Sequence, residues 1–383
     1  MREPTCHLDG AWLPLHEARV PVLDRGFLFG DGVYEVIPVY ARRPFRLAEH
    51  LARLRRSLRA VGIVDPLAEA DWSALVQRLV EVNEPDDQCV YLQATRGAAP
   101  RRDHAFPVDV APTVFGYSYA YPHVPLPLRE SGVDAITLPD RRWLHGQIKS
   151  TSLLGAVLAR QASVDAGAIE TILIRDGWLT EASASNVWVV RHGELLCPPS
   201  DERKLEGVRV ALFDELAQSA GVALRRREVA EWELRCADEL LLSSATKEVL
   251  AVTRLDGRVV GDGRPGPVYR ALYAAYQAAK QAGGRARRNT DTMMNDSRDD
   301  SPLQFPCDFP VKIMGRNVDG FADAVLAVVL RHAPDFDAAS LQMRASRAGN
   351  YLSCTCTVRA TSRAQLDALY LELTSHPLVK VVL

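Results

Sequence analysis

The sequence predicts an α/β body in two subdomains followed by a small α+β module, and three observations carry that prediction. Strand-like runs rich in β-branched and aromatic residues alternate with amphipathic helical runs as far as Lys280. A polar stretch, QAGGRARRNTDTMMNDSRDDSPLQ, then interrupts the apolar pattern, and too little of it is apolar to offset its ordering entropy. The residues after it, 305–383, spell strand, helix, two strands, helix and strand. A chain of 383 residues, 47% of them hydrophobic, is long enough to bury two or three separate cores, so such a break reads as a domain boundary.

Along the chain, GVYEVIPVYARR and QCVYLQATRG read as strands. Between them PFRLAEHLARLRRSLRAVGI sets Leu47, Leu51, Leu54, Leu58 and Val61 at helical spacing, with arginines on the outer side. APTVFGYSYAYPHVPLPLRESG is a strand that runs into Pro122, Pro125 and Pro127, a stiffened crossing from a first subdomain over 1–120 to a second over 128–280. In the second, GVDAITL reads as strand, TSLLGAVLARQASVDAG as helix and ETILIRDGWLTEASASNVWVV as hairpin. VRVALFDELAQSAG follows as helix, ELLLSSATKEVLAVTRLDG as strands, and the Ala-rich PVYRALYAAYQAAK as the closing helix before a flexible linker over 281–304. In 305–383, FPVKIMGRN, FADAVLAVVLRHA, LQMRASRAGNYLSCTCTVRA, RAQLDALYLELTSH and LVKVVL suit a split βαβ, ferredoxin-like βαββαβ unit.

Charge narrows the function. Lys+Arg 46 against Asp+Glu 48 leaves net -2, so no whole-chain field recruits nucleic acid or an anionic membrane. No run approaches the roughly 18 apolar residues that span a bilayer, and MREPTCHLDGAWLP lacks a signal-peptide core, so the expected place is the cytosol. Seven scattered cysteines argue for reduced thiols. Cys354 and Cys356 share a strand face with no second pair at ligand spacing, so no metal site is expected. GDG at Gly30–Gly32 is a turn, since no G-x-G-x-x-G follows.

Amine chemistry has few candidates. Only six of the 46 basic residues are lysine, and a guanidinium cannot form a Schiff base. Lys204, Lys280, Lys312 and Lys380 read as solvated charge. Lys149, in RRWLHGQIKSTSLLGAVLA, ends an extended segment just before a small-residue apolar helix, where desolvation lowers an amine's pKa; Lys247 in SSATKEV stands second. LEGVRVALF places Gly207 just before a helix whose first amides, of Val208 and Arg209, form an anion site, and SSATKE adds hydroxyls as a second wall.

Taken together and in order, DRGFLFGDGVYEVIPVY, EHLARL, TRGAAPRRDHAFP, RWLHGQIKSTSLLGAVLA, TEASASNVW, LEGV and SSATKEV resemble the pyridoxal-phosphate aminotransferases of fold type IV, and most closely their D-amino-acid branch. The resemblance runs from Leu8 to about Ala279. It implies a cytosolic homodimer with pyridoxal 5′-phosphate as cofactor and no metal. Small amino and 2-oxo acids are the implied substrates, with D-alanine and 2-oxoglutarate giving pyruvate and D-glutamate. Lys149 matches the Schiff-base lysine and proton carrier, and Glu181 the carboxylate on the pyridine nitrogen. Arg53, the amides of Val208 and Arg209, Ser244 and Ala245 match the phosphate site, and Leu205 a residue packed on the cofactor ring. Tyr34, Arg102 and His104 match the family's trap for the substrate carboxylate, in which the Arg-x-His pair reaches in from the partner subunit.

Three departures stand out. One extra residue precedes the Arg-x-His pair, leaving Arg101 as the alternative to Arg102; the family's Gly-Ile/Val-Thr-Arg becomes Gly207-Val208-Arg209-Val210; and Ala245 replaces a common threonine. The competing readings are an L-branched-chain aminotransferase or a carbon–carbon lyase of the aminodeoxychorismate type on the same fold. From another class comes a degenerate scaffold acting through its C-terminal module. That module, with FPVKIMGRN, RHAP, GNY and LVKVVL, resembles a small bacterial family of uncharacterised ferredoxin-like proteins, which implies a fold but no reaction.

Overall fold

The stripe of Leu51, Leu54 and Leu58 becomes the inner face of a helix on which the first sheet is built. The computed structural model describes residues 3–205, 208–285, 305–346 and 350–382, and the chain divides into two units, Met1–Thr292 and Met293–Leu383.

The first unit opens with β1 (Thr5–Leu8), β2 (Ala11–Pro14), α1 (Arg25–Phe29), β3 (Gly32–Tyr40), β4 (Arg43–Pro44), α2 (Leu47–Ala60), α3 (Glu69–Val82), β5 (Gln88–Thr95) and β6 (Thr113–Ala120). Its six strands run in the order β2-β1-β6-β5-β3-β4. Leu51, Leu54 and Leu58 of α2 and Trp72, Val76 and Leu79 of α3 cover one face, all essentially inaccessible. The opposite face carries half-buried Tyr34, Tyr91, Tyr117 and Tyr119, whose neighbouring rings lie 5.5 to 5.6 Å apart. The GDG turn closes α1: Gly30 takes φ 66° as its C-cap, and a Cβ on Gly32 would meet Ala94 O at 2.9 Å, so both positions need glycine. Arg25 and Arg96 both ion-pair with Asp31 between them, each at 2.8 Å.

Pro125 and Pro127 fall where α4 (Leu126–Ser131) begins, a position that needs no N–H donor. The chain continues through β7 (Val133–Pro139), α5 (Leu154–Asp165), β8 (Glu170–Arg175), β9 (Trp178–Ala182), β10 (Asn186–Arg191), β11 (Glu194–Cys197), α6 (Val208–Ser219), β12 (Ala223–Arg226), α7 (Glu231–Arg235), β13 (Glu239–Ser244), β14 (Glu248–Leu255), β15 (Arg258–Val259) and α8 (Pro267–Arg285). The strands form a mixed sheet, β12-β11-β10-β13-β14-β7-β8-β9, with β15 on β14. Apolar residues are buried on both its faces, so runs such as VWVV and ELLL are continuously hydrophobic. α8 corrects the linker boundary: it reaches Arg285, five residues into the stretch read as linker, and 286–304 lies outside the described residues.

In the second unit, β16 (Cys307–Arg316), α9 (Phe321–His332), β17 (Gln342–Ala345), β18 (Tyr351–Ala360), α10 (Arg363–Ser375) and β19 (Val379–Val382) make an antiparallel sheet in the order β17-β18-β16-β19. That is the βαββαβ arrangement of a ferredoxin-like fold. Cys354 and Cys356 share its buried face with Val311, Ile313, Phe321 and Leu369.

Candidate active site

Tyr34, Arg53, Lys149, Glu181, Leu205, Val208, Ser244 and Ala245, all singled out from sequence, come to one cleft of about 1180 Å³ in the first unit. β3 contributes Tyr34, α2 contributes Arg53, the extended segment after β7 brings Lys149, and the end of β9 brings Glu181. Leu205, Val208 at the start of α6, and Ser244 and Ala245 after β13 complete the set.

Lys149 is held by its backbone. Its C=O accepts from the Tyr34 N–H (3.0 Å), and its own N–H donates to Ser57 Oγ (3.2 Å). That leaves the side chain free to enter the cleft, where Nζ sits 4.1 Å from the centre of the Tyr34 ring and donates to none of the described residues. Three of the other lysines are committed. Lys204 and Lys280, read from sequence as solvated, are not: Lys204 is buried with Nζ on Pro198 O, and Lys280 donates to Glu248 (2.7 Å). Lys247 donates to buried Glu170 (3.0 Å), which also accepts from Ser185 Oγ (2.8 Å) and Ser183 Oγ and so pins the loop after Glu181. Lys312 and Lys380 are exposed.

Glu181 is buried against Arg142, which donates to it, and accepts from the Leu205 N–H (3.2 Å). Burial pushes its carboxyl up, and the guanidinium only partly offsets this. Arg142 is in turn gripped by Asp140 through Nε and Nη2, both 2.9 Å, and Thr180 Oγ1 donates to the same carboxylate (2.8 Å). Arg142 and Asp140 were missed in the sequence. Nothing local marks which of the adjacent Arg141 and Arg142 will meet a carboxylate 39 positions on.

Arg53 is buried, not on the outer side of α2 with Arg56 and Arg59. It donates to Glu35 through Nε (2.6 Å) and Nη2 (2.8 Å), and His50 Nδ1 lies 2.9 Å from the same carboxylate. Burial would raise Glu35, but Arg53 and His50 hold it well below the usual carboxylate range. A signal for this trio was present: His50 and Arg53 border an apolar stripe, where a charge needs a partner.

Val208 begins α6 and lines the cleft; Arg209 follows in the helix, while its side chain and Gly207 lie outside the described residues. Ser244 Oγ accepts from the amides of Lys247 (3.0 Å) and Thr246 (3.3 Å), and the Tyr121 hydroxyl donates to Ala245 O (3.0 Å). These bonds fix the turn, and Ser244 Oγ also lies 3.4 Å from Thr246 Oγ1. Arg102 and His104 are exposed and do not line the cleft of their own chain. Both pack on Phe29, which does: the Arg102 guanidinium lies 5.0 Å and the His104 ring 5.3 Å from its centroid. Arg101 points to Asp103 instead (3.8 Å).

The donor set fits pyridoxal phosphate. An uncommitted amine, a buried carboxylate with a raised pKa, and a helix start beside a hydroxyl turn match an aldehyde, a pyridine nitrogen and a phosphate respectively. Among the described residues no cluster of three or more His, Cys, Asp or Glu is arranged for a metal.

Such a site on such a fold defines a pyridoxal-phosphate transferase, and comparison with known proteins gives the family. Residues 32–255 match the family model for amino-transferase class IV, and residues 300–383 match the model described as a protein of unknown function (DUF493). D-alanine aminotransferase of Bacillus licheniformis is 38% identical over 269 residues, 70% of this chain and 94% of the relative. D-alanine aminotransferase of Staphylococcus aureus (strain MW2) is 35% identical over 271 residues, 70% of this chain and 95% of the relative. The branched-chain aminotransferase from the thermophilic archaeon Thermoproteus uzoniensis, solved with norvaline, superposes with TM-score 0.66 at 25% identity, over 74% of this chain and 96% of that one. The chain belongs to the class IV aminotransferases, and it is a pyridoxal-phosphate-dependent aminotransferase carrying an additional C-terminal module.

Proposed function

We propose that this aminotransferase acts in the cytosol as a homodimer and moves the amino group of D-alanine to 2-oxoglutarate, giving pyruvate and D-glutamate. The observation that carries the reading is the convergence of Lys149, Glu181, Arg53 and Tyr34 on one cleft. Identity of 35 to 38% to D-alanine aminotransferases over 70% of the chain supports the choice of substrate.

Bound pyridoxal phosphate supplies an electron sink for the pair released when the substrate Cα–H bond breaks. With the cofactor in place, Lys149 Nζ would be the group that accepts the substrate Cα proton and then gives it up, so one amine would serve as base and then as acid. Its setting over the Tyr34 ring, away from other hydrogen-bond partners, leaves it free to do so. Glu181, made more basic by burial and oriented by Arg142, would meet the pyridine nitrogen and keep it protonated. Arg53, kept in place by Glu35 and His50, would hold the phosphate with donors from Val208, Arg209, Ser244 and Ala245, and Leu205 would pack on the ring. Tyr34 and the partner's Arg-x-His pair, Arg102 and His104, hold the α-carboxylate and fix which face of Cα meets Lys149.

Exposure supports the dimer. Arg102 and His104 are exposed and outside the cleft lining of their own chain, and Phe27, Leu154, Val157 and Leu158 are 57 to 75% exposed, an apolar surface that asks for cover. Pyruvate released from D-alanine and 2-oxoglutarate, followed beside the same assay with L-leucine as donor, tests the reading. Turnover with D-alanine supports it; turnover with L-leucine alone assigns the chain to the branched-chain enzymes and overturns it. Sedimentation of a monomer at assay concentration would remove the trap as described.

A further inference from the structure

Resting on the proposed reaction, the structure poses a problem of charge. The α-carboxylate is common to every substrate and is met by Tyr34, Arg102 and His104. 2-Oxoglutarate and D-glutamate carry a second carboxylate that alanine and pyruvate lack, and an uncommitted cation on the cleft wall is the group best suited to bind it.

Among the described residues, five Lys or Arg side chains line the cleft: Arg53, Arg141, Arg142, Lys149 and Arg160. Arg53 is tied to Glu35, and Arg142 is tied to Asp140 and Glu181. Lys149 carries the chemistry. Arg160 donates to Ser163 Oγ (2.7 Å) on its own helix. Arg141 is exposed, and its guanidinium makes no hydrogen bond or ion pair with any described residue. It is therefore the uncommitted fork among the cations of the wall, set next in sequence to the arginine that anchors Glu181. A guanidinium in this state is suited to bidentate capture of a carboxylate.

We infer that Arg141 is a specificity-determining residue that binds the distal carboxylate of dicarboxylic substrates, so that the enzyme prefers a 2-oxo diacid to a 2-oxo monoacid as amino acceptor. The residue does not touch the reacting atoms. Removing it changes selection between acceptors and leaves the proton transfer at Cα intact.

The test uses the full-length holoenzyme. After conversion to the amine form with D-alanine, the return of the cofactor absorption band is timed with 2-oxoglutarate and, separately, with pyruvate. In Arg141→Ala the ratio of kcat/KM for 2-oxoglutarate over pyruvate should fall about fivefold, the upper end for an ion pair at a wet surface. Arg141→Glu should lower it further, and Arg141→Lys should restore part of it. An unchanged ratio in Arg141→Ala and Arg141→Glu overturns the inference, as does a fall produced by Arg160→Ala in their place. Failure of the wild-type band to respond to D-alanine would instead strike the proposed reaction itself, so the two failures are told apart.

Discussion

The two units treat charge in opposite ways. In the first, Glu35, Arg53, Arg129, Asp140, Glu170, Glu181, Lys204 and Glu248 are all buried, and each has a partner. In the second, no charged residue among those described is buried, and ion pairs such as Arg331–Glu372 and Arg359–Asp308 lie on its surface. A buried ion costs several kcal/mol of desolvation that its partner only offsets, so such groups persist where they serve a task beyond stability. The contrast places the chemistry in the first unit and leaves the second as a module that folds on apolar pattern alone.

The largest effect that would break this contrast is at the amine. Lys149→Ala should abolish transamination in a steady-state assay and remove the lysine-bound cofactor band; wild-type turnover would reject its role. Next is Glu181→Ala, which takes from half-buried Arg142 one of its two carboxylates and leaves it Asp140. Orphaning a fully buried charge costs about 3 to 5 kcal/mol, and the retained Asp140 keeps the loss below that, so thermal unfolding of the first unit should come earlier. Phe321→Ala in the second unit should cost about 3 to 5 kcal/mol there, read by unfolding of that unit, with D-alanine turnover preserved. A lost turnover would show that the module is needed for catalysis. Arg102→Ala should weaken substrate binding by about 1.5 to 3 kcal/mol, seen in KM. If Arg101→Ala does this instead, the extra residue in the loop shifts the alignment by one.

Acid gives the smallest and most graded effect. Although burial raises it, Glu170 is held below its ordinary range by Lys247, Ser183 and Ser185. A carboxyl with a depressed folded pKa stabilises the fold above its unfolded value, about 4.3, and loses that contribution as pH falls toward the folded one. Glu170→Gln should flatten the acid limb of the stability profile below about pH 4.

What could be read from sequence follows from the same physics. The apolar periods of α2, β3 and β18 are local, so their elements were legible, as was the βαββαβ order. Lys149 stood out because four of the other five lysines had a solvated reading, and family motifs located Glu181 and Arg53. Short strands such as β1 and β2, and α3 with its weaker stripe, carried less signal. Arg142 and His50 act through carboxylates 39 and 15 positions away, Glu181 and Glu35, and such pairings exist only once the sheets have formed. The solvated reading of Lys204 and Lys280 failed for that reason: their acceptors, Pro198 O and Glu248, become neighbours only through the fold.

The most direct test of the central claim is an absorption spectrum of the purified protein with its cofactor, recorded before and after D-alanine and, on a fresh sample, L-leucine. The account predicts a lysine-bound cofactor band that converts with D-alanine and not with L-leucine. Conversion by L-leucine alone would contradict the carboxylate trap of Tyr34, Arg102 and His104, and no band after supplying cofactor would contradict the placement of the chemistry at Lys149.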